Sequence, residues 1–218
     1  MTELVFIRHG QTDYNVQLRF QGHVDAPLNA HGHHQARLLA QRLAGEPARA
    51  MVSSDLIRAR QTAAPLAAAW ALEPVLMPAL REQCFGVLEG LDRPEIERRH
   101  PELWARWCEY RADYALPGGE SLREFHRRVL EAVRQLADQA AGARLLVVTH
   151  GGVLDVLWRQ AQGLPLDGPR RCDIPNTGIN RLRWTDGTLH IEGWADAAHL
   201  EALPTDAAAV GERPHRSQ

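Results

Sequence analysis

At 218 residues the chain is long enough for one well-buried domain, or one domain with an elaboration. Its composition, 44% hydrophobic and 24% charged, is that of an ordinary globular protein, and a net charge of -2 gives no electrostatic basis for binding nucleic acid or a membrane. All 25 basic residues are Arg, which excludes Schiff-base and P-loop lysine chemistry.

Cys84, Cys108 and Cys172 are far apart and form no CxxC pair. They predict neither a disulfide framework nor a zinc site, and they fit a reducing cytoplasm. The expectation is a chain with no leader peptide, and no apolar run approaches the roughly 18 residues of a membrane span.

Taken in order, Leu4 to Ile7 reads as a buried strand, too short for a helix, that stops at Arg8-His9-Gly10. Gly10 permits a sharp turn there. Residues 11–31 are loop-like, and a helix follows over about Ala30–Leu43, with Asn29 as N-cap and Gly45 and Pro47 as its end. Ala50 to Ser53 is a second strand. Ser54-Asp55 then caps a helix over about Leu56–Trp70, which Pro65 should kink or break. Pro74 to Met77 is a weak third strand.

Residues 81–117 are cut up by Gly86, Gly90, Pro94, Pro101 and Pro117, with Trp104, Trp107, Tyr110 and Tyr114 on short helical pieces. Ser121 and Glu124 have capping-box spacing. They open a helix with the stripe Leu122, Phe125, Val129, Val133, Leu136 and Ala140, and with Glu124–Arg128 and Arg127–Glu131 as i,i+4 pairs. Leu145 to Thr149 is an unbroken apolar run, the mark of a central parallel strand. It ends in His150-Gly151-Gly152 and leads into a buried helix over about Val153–Gln162. Asp186-Gly187 joins two strands in a hairpin, and the tail from about Ala202 has no core-forming pattern. Alternating strands and helices give an α/β fold with helices on both faces of a mostly parallel sheet, to which the hairpin adds an antiparallel edge strand.

Four polar features fall at or just past strand ends: Arg8-His9-Gly10, Ser53-Ser54-Asp55 with Arg58, Arg81-Glu82, and His150-Gly151-Gly152. Parallel strands bring such ends together. Two His, two Arg and a carboxylate suit metal-free phosphoryl transfer. Arginine forks hold phosphoryl oxygens, a neutral imidazole is a nucleophile, and a carboxylic acid protonates the leaving alcohol. The glycines after His150 leave backbone N–H groups for an anion at a helix N-terminus.

These residues, with Gln11-Thr12-Asp13-Tyr14-Asn15, Gln21-Gly22, Asp25-Ala26-Pro27-Leu28, Gln61-Thr62-Ala63, Glu89-Gly90 and Gly119-Glu120-Ser121, resemble the histidine phosphatase superfamily in its phosphoglycerate-mutase-like branch. The motifs run in family order over residues 3–185. The resemblance implies a three-layer α/β/α sandwich, with one catalytic domain over 1–200, a substrate-capping insertion at about 85–117 and a tail over 201–218. His9 would be the nucleophile that becomes phosphohistidine, and Glu82 the proton donor and then the base for water. Arg8, Arg58 and His150 would hold the phosphoryl oxygens, with Asn15 assisting and Gln21, Gly22 and Gly151 near the phosphate. Asn29 stands where the family usually has Thr or Ser.

The reading is thus a cytoplasmic, cofactor-free phosphomonoesterase for a small phosphorylated metabolite, with no metal and with homodimer formation open. A phosphoglycerate mutase is the alternative. It is disfavoured by the short interval between Glu82 and His150 and by the acid motif Glu82-Gln-Cys-Phe-Gly. A catalytically silent phospho-ligand binding protein is the alternative of another class. His31, His33 and His34 do not converge on one side of a helix and are not read as a metal site; Glu89 is the rival acid and His190 a surface residue.

Overall fold

Alternation along the first strand decides how the molecule is layered. In β1 (Thr2–Arg8), Leu4 and Phe6 point to one side and Val5 and Ile7 to the other. Both sets are buried because helices cover both faces.

The computed structural model describes residues 1–140 and 142–201, so the 202–218 part of the predicted tail lies outside the described residues. After β1 come α1 (Asp13–Val16), α2 (Ala30–Leu43), β2 (Ala50–Ser53), α3 (Ile57–Trp70) and β3 (Val75–Leu76). The second half carries α4 (Arg93–Arg99), α5 (Pro101–Trp107), α6 (Leu122–Ala140), β4 (Arg144–Thr149), α7 (Gly151–Ala161), β5 (Ile179–Thr185) and β6 (Thr188–Asp196).

The strands form one sheet in the order β3-β2-β4-β1-β5-β6. The pairs β3–β2, β2–β4 and β4–β1 are parallel, and β5 runs antiparallel to both β1 and β6. The antiparallel strand of the hairpin therefore lies one place in from the edge, with β6 outside it. Asp186 (φ 49°) and Gly187 (φ 80°) both take positive φ, as a two-residue hairpin turn requires.

On one face, Phe125, Val129 and Val133 of α6 and Leu154 and Leu157 of α7 pack on Leu4, Phe6, Leu145 and Val147. On the other, Leu39 and Leu43 of α2 and Ala59, Ala63 and Leu66 of α3 pack on Val5, Ile7, Leu146 and Val148. This is a three-layer α/β/α sandwich. At roughly 1.5–3 kcal/mol for each large buried apolar side chain, the two faces outweigh the several kcal/mol needed to bury a charge at the strand ends.

Asn29 caps α2 through Gly32 N (2.9 Å), and Ser121 and Glu124 form the reciprocal box at the start of α6. Three local expectations change. Leu56, not Ser54 or Asp55, is the N-cap of α3. The Ile57 N–H is taken instead by Asp25 Oδ1 (2.6 Å), while Asp55 is drawn off by Arg81 (2.8 and 2.5 Å). Pro65 does not break α3, because Ala63 and Leu66 beside it are fully buried against the sheet and outweigh one lost hydrogen bond. On α6, Glu124 is used by the cap, so Arg128 pairs with Glu120 and Glu131 with Arg134.

Residues 85–117 build a separate small cluster of Leu88, Ile96, Trp104, Trp107 and Leu116, with Phe20 and Phe85 packed on it. Trp104 and Trp107 lie on α5, whereas Tyr110 and Tyr114 lie beyond its end. Among the described residues no helix is long and apolar enough to cross a membrane.

Candidate active site

Three of the four polar features meet because β2, β4 and β1 are parallel neighbours. Arg8 sits opposite Thr149, and Ser53 opposite Val148. The pairing continues one residue past each strand: His9 N donates to Thr149 O and Ser54 N to Val148 O, both at 2.9 Å. The fourth feature is brought in by the turn after β3, where Leu80 O accepts from Thr149 Oγ1 (2.9 Å). Glu82 then reaches across to the start of α7. Its Oε2 accepts from Gly152 N and its Oε1 from Gln83 N, each at 2.9 Å. A Cβ on Gly152 would collide with that carboxylate, so the close approach requires glycine.

His9 is buried, with Nδ1 2.7 Å from its neighbour's carbonyl, Gly10 O. A carbonyl only accepts, so Nδ1 carries the proton and Nε2 keeps its lone pair. Gly10 is held by its N–H to Thr62 Oγ1 (2.9 Å), and a side chain there would strike Gly32 O. His150 lies behind His9, with ring centroids 5.2 Å apart, and its Nε2 is 2.8 Å from Ser54 Oγ. It is fully buried.

Both arginines are buried and anchored through part of the guanidinium. Arg58 donates Nη1 to Val24 O and Nη2 to Gly22 O, each at 2.8 Å, and Arg8 donates Nη1 to Ile174 O at 2.6 Å. Gly22 takes φ 48°, and a side chain on it would hit Glu89. Glu89 itself is spent on backbone: its Oε1 accepts from His23 N (3.0 Å) and Phe85 N (2.9 Å). The rival acid is thus a loop staple, while Glu82 faces the cavity. Asn15 and Gln21 use their oxygen ends on Thr12 (3.0 Å each), which leaves their NH2 ends as donors on the cavity side.

The electrostatics favour an anion. Burial, then the charges of Arg58 and Arg8, hold His9 well below the ordinary value of 6.5. Burial, then Arg58, does the same to His150. Burial also brings the two guanidinium values down to about 10, with Arg170 adding to the effect on Arg8. Arg58 Nε and His150 Nδ1 are buried with no hydrogen-bond partner among the described residues. Such orphaned groups cost about 1–3 kcal/mol each, a cost that phosphoryl oxygens would relieve.

These groups open on a cavity of about 380 Å³. Opposite the polar floor stands an aromatic wall of Phe20, Phe85, Trp104 and Trp107, packed edge to face at 5.1–6.2 Å. Of the four aromatic residues that the sequence places on short helical pieces, Trp104 and Trp107 line the cavity. Phe20 and Arg170 were missed. Phe20 precedes Gln21-Gly22, a signal that was available. Arg170 lies in irregular chain after α7 and has no local signal.

The family model described as histidine phosphatase superfamily (branch 1) matches residues 4–197. Phosphoglycerate mutase-like protein 4 of Arabidopsis thaliana is 38% identical over 91% of this chain and 87% of its own length. The metal-independent phosphoserine phosphatase of the same plant is 34% identical over 93% and 85%. In structure, YhfR of Bacillus stearothermophilus superposes with a TM-score of 0.84 at 32% identity, covering 92% of this chain and all of that one. With the fold, the motif order and these relatives in agreement, the chain belongs to the histidine phosphatase superfamily.

Proposed function

We propose that the protein is a metal-independent phosphomonoesterase that acts on a small phosphorylated metabolite through a phosphohistidine at His9. The observation that carries this is the tautomer of His9: Nδ1 is tied to Gly10 O, so Nε2 faces a cavity lined by Arg8, Arg58 and Glu82. Nε2 attacks phosphorus and the P–O bond to the leaving group breaks. Glu82 gives its proton to the departing oxygen. Arg8, Arg58 and His150 Nδ1 hold the equatorial oxygens, with Asn15, Gln21 and the N-terminus of α7 at Gly151 completing the donor set and Gly22 keeping the loop close. Glu82, now a carboxylate, takes a proton from water. The water oxygen displaces His9 and phosphate leaves. The aromatic cluster at 85–117 closes over the leaving group, and the separated free thiols fit a cytoplasmic setting.

The test is a phosphoenzyme trap with a labelled phosphoester in excess chelator. Acid-labile, base-stable label on the wild type, none on His9→Ala, and unchanged turnover in chelator are the expected results. Label on His9→Ala would reject the nucleophile, and activity restored only by a divalent metal would reject metal independence.

The second reading, a phosphoglycerate mutase, is favoured by a different observation. A relative named as a probable phosphoglycerate mutase in Serratia proteamaculans is 33% identical over 94% of this chain. Incubation with 3-phosphoglycerate and a bisphosphoglycerate primer separates the two: net phosphate release supports the phosphatase, and isomerisation without release supports the mutase.

A further inference from the structure

The polar side of the cavity holds a guanidinium that this chemistry does not use. Arg170 lines the cavity beside the start of α7. An ideal Cβ on Gly151 would stand 3.5 Å from Arg8 Nε and 3.7 Å from both Nη atoms of Arg170. The two guanidiniums therefore flank one point next to the phosphoryl site.

We propose that Arg170, together with Arg8, forms a second anion subsite that selects phosphoesters whose leaving group carries one further negative charge. This rests on the phosphomonoesterase reading and adds a specificity-determining residue to it.

Charge counting carries the argument. With Glu82 in the protonated form that the leaving-group acid requires, a phosphoryl dianion is matched by Arg8 and Arg58. Asp155 is the carboxylate nearest Arg170, but Arg159 already holds it, with Nε to Oδ2 at 3.1 Å. The other Asp155 oxygen is 3.8 Å from Arg170 Nε, an ion pair too long for a hydrogen bond, so Arg159 and Arg170 share one carboxylate between two positive charges. Arg170 Nε is buried and makes no hydrogen bond among the described residues. On the far side of the cavity the cations are already matched, Arg19 by Glu95 and Asp92, and Arg93 by Glu97. The floor thus keeps one positive charge beyond what a phosphoryl group neutralises. One surplus charge suits a monoanion such as a carboxylate.

Arg170 sits beside the start of α7, on the same side of Gly151 as Arg8 Nε. The loop that carries it is stapled in place. Arg159 donates to Pro165 O (2.8 Å) and Pro169 O (2.7 Å), and Arg8 holds Ile174 O. A preorganised guanidinium loses little freedom on binding an anion.

The test uses 3-phosphoglycerate and glycerol 3-phosphate, which differ only in a carboxylate for a hydroxymethyl group. The wild type should favour the first in kcat/KM. Arg170→Gln should lower kcat/KM for 3-phosphoglycerate about 30-fold, mostly through KM, and for glycerol 3-phosphate less than about threefold. Arg170→Lys, which keeps the charge, should recover part of the loss. Equal losses on both esters would put Arg170 on the phosphoryl group or in the fold, and no loss on either would leave it without a role; both overturn the subsite. Calorimetry with the same two esters on His9→Asn reads binding without turnover. If the carboxylate preference and its loss in the His9→Asn, Arg170→Gln protein appear there while the wild type hydrolyses neither ester, the phosphatase reading fails and the subsite stands. If calorimetry shows no preference, the subsite fails whatever the turnover.

Discussion

The floor and the aromatic wall line one cavity, and they are built on opposite principles. On the floor each polar group has a fixed direction. Arg58 is pinned by the Gly22 and Val24 carbonyls, Arg8 is held at Ile174 O, and His9 at Gly10 O. The wall is four rings in edge-to-face contact, held by apolar packing. Directional groups stabilise a transition state more than a ground state, whereas apolar contact binds both alike. Damage to the floor should therefore appear in kcat, and damage to the wall in KM.

The severest break is expected at Arg58. Arg58→Ala removes a phosphoryl donor and also strands the Gly22 and Val24 carbonyls. We expect kcat/KM to fall about 10³-fold or more for every substrate, with thermal melts reporting how much of the loss is structural. A fall of less than tenfold in a folded protein would take Arg58 out of the phosphoryl clamp.

Glu82 sharpens the comparison, because its contribution depends on the leaving group. Gln keeps the size of Glu but cannot transfer a proton. In single-turnover phosphoenzyme formation, Glu82→Gln should slow an alkyl phosphate by about 10²-fold or more and p-nitrophenyl phosphate far less. Equal slowing of both would remove Glu82 as the leaving-group acid.

The same contrast explains what could be read from the sequence. The floor was legible because Arg8-His9, Arg58, Glu82 and His150 fall at or just past strand ends, and parallel topology with the turn after β3 brings those ends together. The sandwich was legible because Leu4 to Ile7 and Leu145 to Val148 are buried on both faces. The wall was half legible: Trp104 and Trp107 touch core on one side and cavity on the other, and composition does not tell which side matters. Arg170 was invisible in a chain whose every cation is Arg. It lies in an irregular segment, and only the fold puts it beside Arg8. The α3 cap was missed for the same reason, since Asp25 reaches Ile57 from 32 residues away.

The wall gives a smaller effect of a different kind. Trp107→Ala should raise KM about tenfold for bulky esters and leave kcat within about threefold, since the contact it removes at the cavity is apolar ring surface. A matching loss in kcat would show that the wall orients the reacting phosphate as well as holding the leaving group.

The smallest expected effect is a slope in stability against pH, which separates the two regions again. His9 and His150 are held below 6.5 by burial and by the nearby arginines. Below pH 6.5 the unfolded chain therefore binds protons that the folded chain resists. Stability is fully present above 6.5 and falls as pH drops toward the folded values, by up to about 1.4 kcal/mol per pH unit for each histidine. Burial gives His126 and His199 a component of the same sign. Asp55, held below its ordinary 3.8 by the Arg81 hydrogen bond, loses its contribution only at lower pH, so the window from 6.5 to about 5 isolates the histidines. Urea melts across that window should show the slope in the wild type and a shallower one in His9→Asn. Trp107→Ala should lower every midpoint and keep the slope, because the wall has no proton to exchange. An unchanged slope in His9→Asn would mean that His9 titrates as an ordinary imidazole, and the neutral nucleophile would lose its electrostatic basis.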